Sequence, residues 1–274
     1  MQRARIDRFQ QAVLGYYHAY GRHDLPWRQP LPDGSFDPYR ILVSEMMLQQ
    51  TQVSRVIYKF TEFLGLFPDF QSLAAANLGE VLQAWSGLGY NRRAKFLRQT
   101  AQQMMTIYDG RLPRTRSELV RLPGIGPNTA GALLAYAYDT PAVFIETNIR
   151  TVFIHHFFAD QQEIEDKAIL EVVARALPDD ARGWYWALMD YGVHLKQEIG
   201  NLNKLSKHYT VQPRFVGSKR QLRGRVLRHL VKGQQLEATL RATIEDVRLP
   251  EVLAQLLVEG MIERTDAGYK LPGA

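Results

Sequence analysis

Two carboxylates and a glycine-bracketed turn are the residues of this sequence best suited to do chemistry. Glu45 stands in Val43-Ser44-Glu45-Met46-Met47-Leu48. Burial among such neighbours would raise the pKa of a carboxyl. On the exposed face of an amphipathic helix the same residue would only be solvated. Glu146 opens the segment Glu146-Thr147-Asn148-Ile149-Arg150. Between them lies Leu122-Pro123-Gly124-Ile125-Gly126-Pro127-Asn128-Thr129-Ala130. Glycine tolerates positive φ, so Gly124 and Gly126 permit a tight hairpin between two helices. Pro127 has no N–H to waste in a first helical turn. The free N–H groups there form an anion site that suits a phosphate. A plain helix corner with no ligand is the competing reading.

Helices must position these groups. Residues 5–22 carry Ile6, Phe9, Val13, Tyr16, Tyr17 and Tyr20 at helical spacing. Asp37-Pro38 caps and opens a second helix, and Asn77-Leu78-Gly79-Glu80 reads as a capping box. The pattern predicts further helices near 51–64, 90–108, 115–121, 127–138, 147–158, 164–176 and 180–196. Strand signals are scarce there. The aromatic and methionine stripes read as packing.

The chain has 274 residues, 46% of them hydrophobic, enough for one large domain and a small one. A net charge of +6 suits a polyanionic partner without requiring one. No apolar run reaches membrane-spanning length, and Met1-Gln2-Arg3-Ala4-Arg5 leads into no signal-peptide core. The expectation is an intracellular, cytoplasmic protein. With no cysteine, disulfides, thiolate zinc sites and thiol nucleophiles are excluded. His155-His156 point about a hundred degrees apart on a helix, a poor metal site, and read as structural. No metal centre is expected.

Several motifs in order carry a resemblance. Leu25-Pro26-Trp27-Arg28, the run from Pro38 to Val53, Trp85-Ser86-Gly87-Leu88-Gly89-Tyr90 and the hairpin followed by an acidic residue at 146 resemble the helix–hairpin–helix DNA glycosylases of the endonuclease III superfamily. The adenine DNA glycosylases are the closest match, over about residues 8–195. The resemblance implies an all-α, two-lobed helix–hairpin–helix core at 1–195. It also implies a hydrolase of base excision repair, a nucleoid-associated monomer acting on double-stranded DNA. Residues after about 196 do not match that family's usual C-terminal half.

The resemblance also assigns roles. Duplex DNA hides the base, so the enzyme must flip it out and fill the gap. The N-glycosidic bond breaks through an oxocarbenium-like sugar, so one acid helps the leaving group and a carboxylate steadies the cation. Glu45 is implied as the acid, Glu146 as the carboxylate and Asn148 as the residue that places sugar or water. The family has an aspartate at 146, so this chain's carboxylate reaches one methylene further. Gln50 is implied as the wedge, with Gln49 beside it, and Arg28 and Tyr90 as base-pocket residues. Gly124, Gly126, Asn128 and Thr129 are implied at the DNA. Bifunctional relatives place a Schiff-base lysine where Asn128 stands, so the chain resembles the monofunctional branch. Asn91 replaces a second tyrosine common in the family, which leaves the opposing base open. The family's cysteine-ligated iron–sulfur cluster has no ligands here, because Val193-His194-Leu195-Lys196 stands where it would begin. A monovalent cation at the carbonyls of residues 122–125 is implied. A glycosylase for another damaged base, and a non-catalytic DNA-binding protein, are the alternative readings.

The C-terminal quarter changes character. Residues 196–228 hold nine lysines and arginines against Glu198 alone, and 196–218 reads as a basic linker. Three helices near 220–231, 236–244 and 250–259 precede a hairpin turning at Thr265-Asp266-Ala267, which suggests a winged-helix-like domain at 219–274. It either contacts DNA or packs on the catalytic part.

Overall fold

The computed structural model describes residues 2–273. Helices run α1 (Gln2–Tyr20), α2 (Pro38–Leu48), α3 (Val53–Leu66), α4 (Phe70–Ala75) and α5 (Leu78–Ala84). Then come α6 (Arg92–Ile107), α7 (Arg116–Leu119), α8 (Pro127–Tyr138), α9 (Thr147–Phe157), α10 (Asp166–Ala176) and α11 (Ala181–Ile199). The chain ends with α12 (Lys219–Val231), α13 (Glu237–Ile244), α14 (Leu249–Val258) and the antiparallel pair β1 (Glu263–Thr265) and β2 (Gly268–Lys270). The fold is all-α, as expected. Two compact units share it: residues 1–45, 113–121 and 125–211, and residues 46–112, 122–124 and 212–274.

In the first unit α11 packs on α1, α8 and α9. Phe9 of α1 meets Phe153 of α9 and Trp184 of α11 edge-on, with ring centroids 5.1 and 5.6 Å apart. All three rings are buried, and truncating one of them would cost about 3–5 kcal/mol. Gly192 lets α11 approach α9 closely, since a Cβ there would lie 2.5 Å from the Asn148 carbonyl oxygen.

In the second unit α6 packs on α4 and α5, around Phe63, Leu73, Trp85 and Leu97. The Asn77–Glu80 capping box forms as predicted. A second box, Asp69–Ser72, starts α4, which the sequence reading missed.

The C-terminal helices belong to this second unit. Residues 212–274 cluster there with residues 46–112 and 122–124. Gly79 N–H donates to the Pro272 carbonyl at 2.9 Å, and a Cβ on Gly79 would crowd that oxygen. Glu259 receives Arg223 at 2.6 Å, and Lys95 donates to the Glu259 carbonyl. The expected linker is also partly structured. α11 runs to Ile199, and a 3₁₀ turn at Leu202–Leu205 buries Asn203.

Candidate active site

Asp37 starts α2, its carboxylate accepting from Tyr39 N–H at 2.8 Å. The helix buries Leu42, Val43, Met46 and Met47 and leaves Glu45 partly accessible. Burial raises the Glu45 carboxyl well above its ordinary range; the neighbouring Glu146 pushes it further, against the pull of Arg28. Glu146 is the N-cap of α9, with φ −123° and ψ 169°, and its carboxylate makes no capping bond. That oxygen pair is therefore unspent on the helix. Burial raises Glu146 too.

Two carboxyl groups in one apolar setting do not both ionise cheaply, so each makes the other's ionisation costlier. Glu146 sits at a helix N-terminus, which favours its anion. The arrangement supplies one acid and one carboxylate. Tyr136 of α8 joins them. It is buried, and its phenol is pushed well up by burial and then by both glutamates. Arg182 fixes this stretch by donating to the Tyr136 carbonyl at 2.7 Å.

Arg28, expected in the base pocket, is buried. Its Nη1 and Nη2 donate to Asp190 at 2.8 and 3.0 Å. Arg22 donates to the same carboxylate through its backbone N–H at 2.8 Å. Burial alone would raise Asp190, but Arg28 and Arg22 outweigh it and hold the carboxyl below its ordinary range. The Arg28 guanidinium lies 5.4 Å from the Trp186 ring centre, and Trp186 stacks on Tyr136. Sequence reasoning missed Tyr136 and Asp190. The signal for Asp190 was a lone acid within the apolar run 184–192.

Asn148, expected to place sugar or water, has its side-chain oxygen held by Lys196 Nζ at 2.8 Å. Arg150 pairs with Asp166 at 2.7 Å. Asn203 donates to Thr151 Oγ1 at 2.9 Å and to the Thr147 carbonyl at 3.2 Å. This amide clasp fastens the chain after α11 onto α9, in the region where the resemblance would place an iron–sulfur cluster. Amide, hydroxyl and carbonyl groups do not fit such a cluster, and the sequence has no cysteine. Among the described residues no cluster of metal-ligating side chains forms, and no helix is long and apolar enough to cross a membrane.

In the second unit Gln50 and Tyr90 both adopt left-handed backbone, φ 55° and 47°. Such strain in non-glycine residues persists only where the surroundings impose it. Arg93 bonds to residues that flank both. Its buried guanidinium donates to the carbonyls of Met46 (2.6 Å), Met47 (2.8 Å) and Gly89 (3.0 Å) and to Thr51 Oγ1 (2.9 Å). It thus ties the end of α2 to the turn that carries Tyr90. With no acid beside it, burial lowers Arg93 to about 10. Gln49 reaches the Gly124 carbonyl at 3.5 Å.

At the hairpin only Gly124 uses positive φ, at +75°, and a Cβ there would strike Phe96 at 2.9 Å. Gly126 does not, contrary to the expectation. It is the N-cap of α8 at φ −87°. A Cβ on it would meet nothing within 4 Å, so no neighbour in the chain demands glycine there. Asn128 accepts from the Ile145 N–H at 3.4 Å, one residue before Glu146. Thr129 occupies the same first turn of α8.

Comparison with known proteins gives a consistent picture. The HhH-GPD superfamily of base excision DNA repair proteins matches residues 43–175. An adenine DNA glycosylase of Mycolicibacterium smegmatis is 34% identical over 286 residues, covering 95% of each chain. One from Buchnera aphidicola (subsp. Baizongia pistaciae) is 38% identical over 149 residues, 54% of this chain and 41% of that protein. This chain thus covers less than half the length of some relatives it matches. Among solved structures, a thermostable thymine-DNA glycosylase aligns with TM-score 0.62 at 24% identity, over 76% of this chain and 98% of that one. An endonuclease III trapped on DNA aligns with TM-score 0.58 at 17% identity, over 71% of this chain and 87% of that one. Both show the same fold. With its hairpin, its paired glutamates and a relative matched end to end, the chain belongs to the adenine DNA glycosylase family of the HhH-GPD base excision repair proteins.

Proposed function

We propose that the chain is a monofunctional DNA glycosylase that hydrolyses the N-glycosidic bond of mispaired adenine. The observation that carries this reading is that Glu45 and Glu146 stand in one apolar setting, where burial raises both carboxyls and Glu146 raises Glu45 further. Glu45 gives its proton to the departing base, and Glu146 stabilises the cationic sugar. Water then completes hydrolysis, with Asn148 helping to place the sugar or the water.

Double-stranded DNA is the partner, bound by a monomer associated with the nucleoid. A phosphate lies at the N-terminus of α8, where Gly126 leaves room and Gly124, Asn128 and Thr129 flank it. Gln50, with Gln49, fills the gap that the extruded base leaves, and Tyr90 lines the base pocket. A monovalent cation at the hairpin belongs to the same reading. The Pro123 and Gly124 carbonyls accept from Thr100 at 3.3 Å and from Gln49 at 3.5 Å, and a carbonyl oxygen has two lone pairs. The helices and hairpin of residues 219–274 are read as a winged-helix-like element of the DNA-facing surface.

Asn128 has no amine for a Schiff base, so the abasic strand stays intact. A base-release assay on a panel of mispaired and damaged duplexes tests the function. Free adenine should appear, with strand breakage only after alkali. High-yield borohydride trapping of an enzyme–DNA adduct would show a lyase instead.

A further inference from the structure

The segment after Val211 lies on the residues read as wedge and pocket. Gln212 Nε2 donates to Gln50 Oε1 at 3.1 Å and also contacts the Tyr90 hydroxyl. Arg220, in the first turn of α12, donates to the same hydroxyl at 2.5 Å, and its guanidinium lies 5.8 Å from the Tyr90 ring centre. The Pro213 carbonyl holds the other arm of Arg220 at 2.6 Å. All of these groups lie within the second unit. Gln50 is exposed and Tyr90 is 37% exposed, so water could satisfy both without this segment.

We infer that Gln212 and Arg220 set selectivity for the base left in the duplex opposite the extruded one. This rests on Gln50 being the wedge. A side chain driven into a base stack lies beside the bases it separates. Groups hydrogen-bonded to the wedge tip and to Tyr90 are then within reach of the unpaired base's edge. An arginine fork matches a purine with acceptors at O6 and N7, and a glutamine amide offers both a donor and an acceptor. On DNA binding the two side chains exchange Tyr90 and Gln50 for that edge.

The test uses the full chain and duplexes with adenine opposite guanine, 8-oxoguanine, cytosine or thymine. Base release and affinity are measured for the parent, Arg220→Met, Arg220→Lys and Gln212→Ala, with circular dichroism to confirm folding. The expected result is that Arg220→Met narrows the spread of rates and affinities across the four partners by about tenfold, one good base contact. Gln212→Ala should narrow it less, and Arg220→Lys should restore part of it. An unchanged spread in the folded variants overturns the inference. So does an equal rise on every duplex, which would make the segment a strap that only blocks the wedge. A parent protein that binds with partner selectivity yet releases no base would instead defeat the proposed activity and leave the affinity spread as the test here.

Discussion

Arg28 and Asp190 meet side by side in the interior of the first unit, Nη1 to Oδ2 at 2.8 Å and Nη2 to Oδ1 at 3.0 Å. Their side chains are 4% and 2% exposed. The pair neutralises a guanidinium that would otherwise act at full strength on Glu45. Asp190→Asn should leave that charge buried and cost about 3 kcal/mol in urea unfolding. The unopposed cation should also favour ionised Glu45, moving the alkaline fall of the base-release profile to lower pH. Unchanged stability and profile would mean that Asp190 does not govern the site.

Glu45 couples activity to stability. Its carboxyl is raised above its ordinary value of 4.5 in the folded chain. Between 4.5 and the raised value the native state binds more protons than the unfolded state. Stability therefore falls as pH rises through that window. Glu45→Gln has no proton to lose. It should be more stable than the parent at neutral pH, release no base, and bind duplex within about threefold, since phosphate contacts remain. Retained activity would end the assignment of the acid.

The length of Glu146 separates a reshaped pocket from a lapsed catalyst. If the pocket fits the longer side chain, Glu146→Asp should leave excision unimproved or slower, because charge withdraws from the sugar. Glu146→Gln should silence the enzyme. A gain of about tenfold in Glu146→Asp, near 1.4 kcal/mol of barrier, would favour the lapsed catalyst.

Gly124 and Gly126 should respond oppositely to alanine. Gly124→Ala meets a positive φ and Phe96, so it should lower stability by about 1–3 kcal/mol. Gly126→Ala fits its backbone and strikes nothing, so its melting temperature should barely move while DNA affinity drops. Full affinity in Gly126→Ala would move the phosphate elsewhere.

Local signals were readable in the sequence. The α8 range 127–138 and the Asn77 capping box follow from neighbours within four residues. The order of helices and hairpin after 219 was readable for the same reason. What stayed hidden depends on contacts distant in sequence. Tyr136 looks like one more apolar residue of α8 until Glu45 and Glu146 are seen beside it. Arg93 is one of many basic residues until its guanidinium is found among the carbonyls of Met46, Met47 and Gly89. The placement of residues 212–274 with the 46–112 helices rests on the carbonyls of Glu259 and Pro272, whose partners Lys95 and Gly79 lie far back along the chain.

The amide clasp at Asn203 fastens the chain after α11 without a metal ligand. The segment after α11 closes through hydrogen bonds from one side chain to Thr147 and Thr151. These form as soon as the chain folds and need no assembly machinery. Peroxide has no thiolate or sulfide there to attack, and a chelator has nothing to withdraw. The clasp therefore contains no thiolate or sulfide that oxidation would consume, and it holds the first turn of α9, which Glu146 caps.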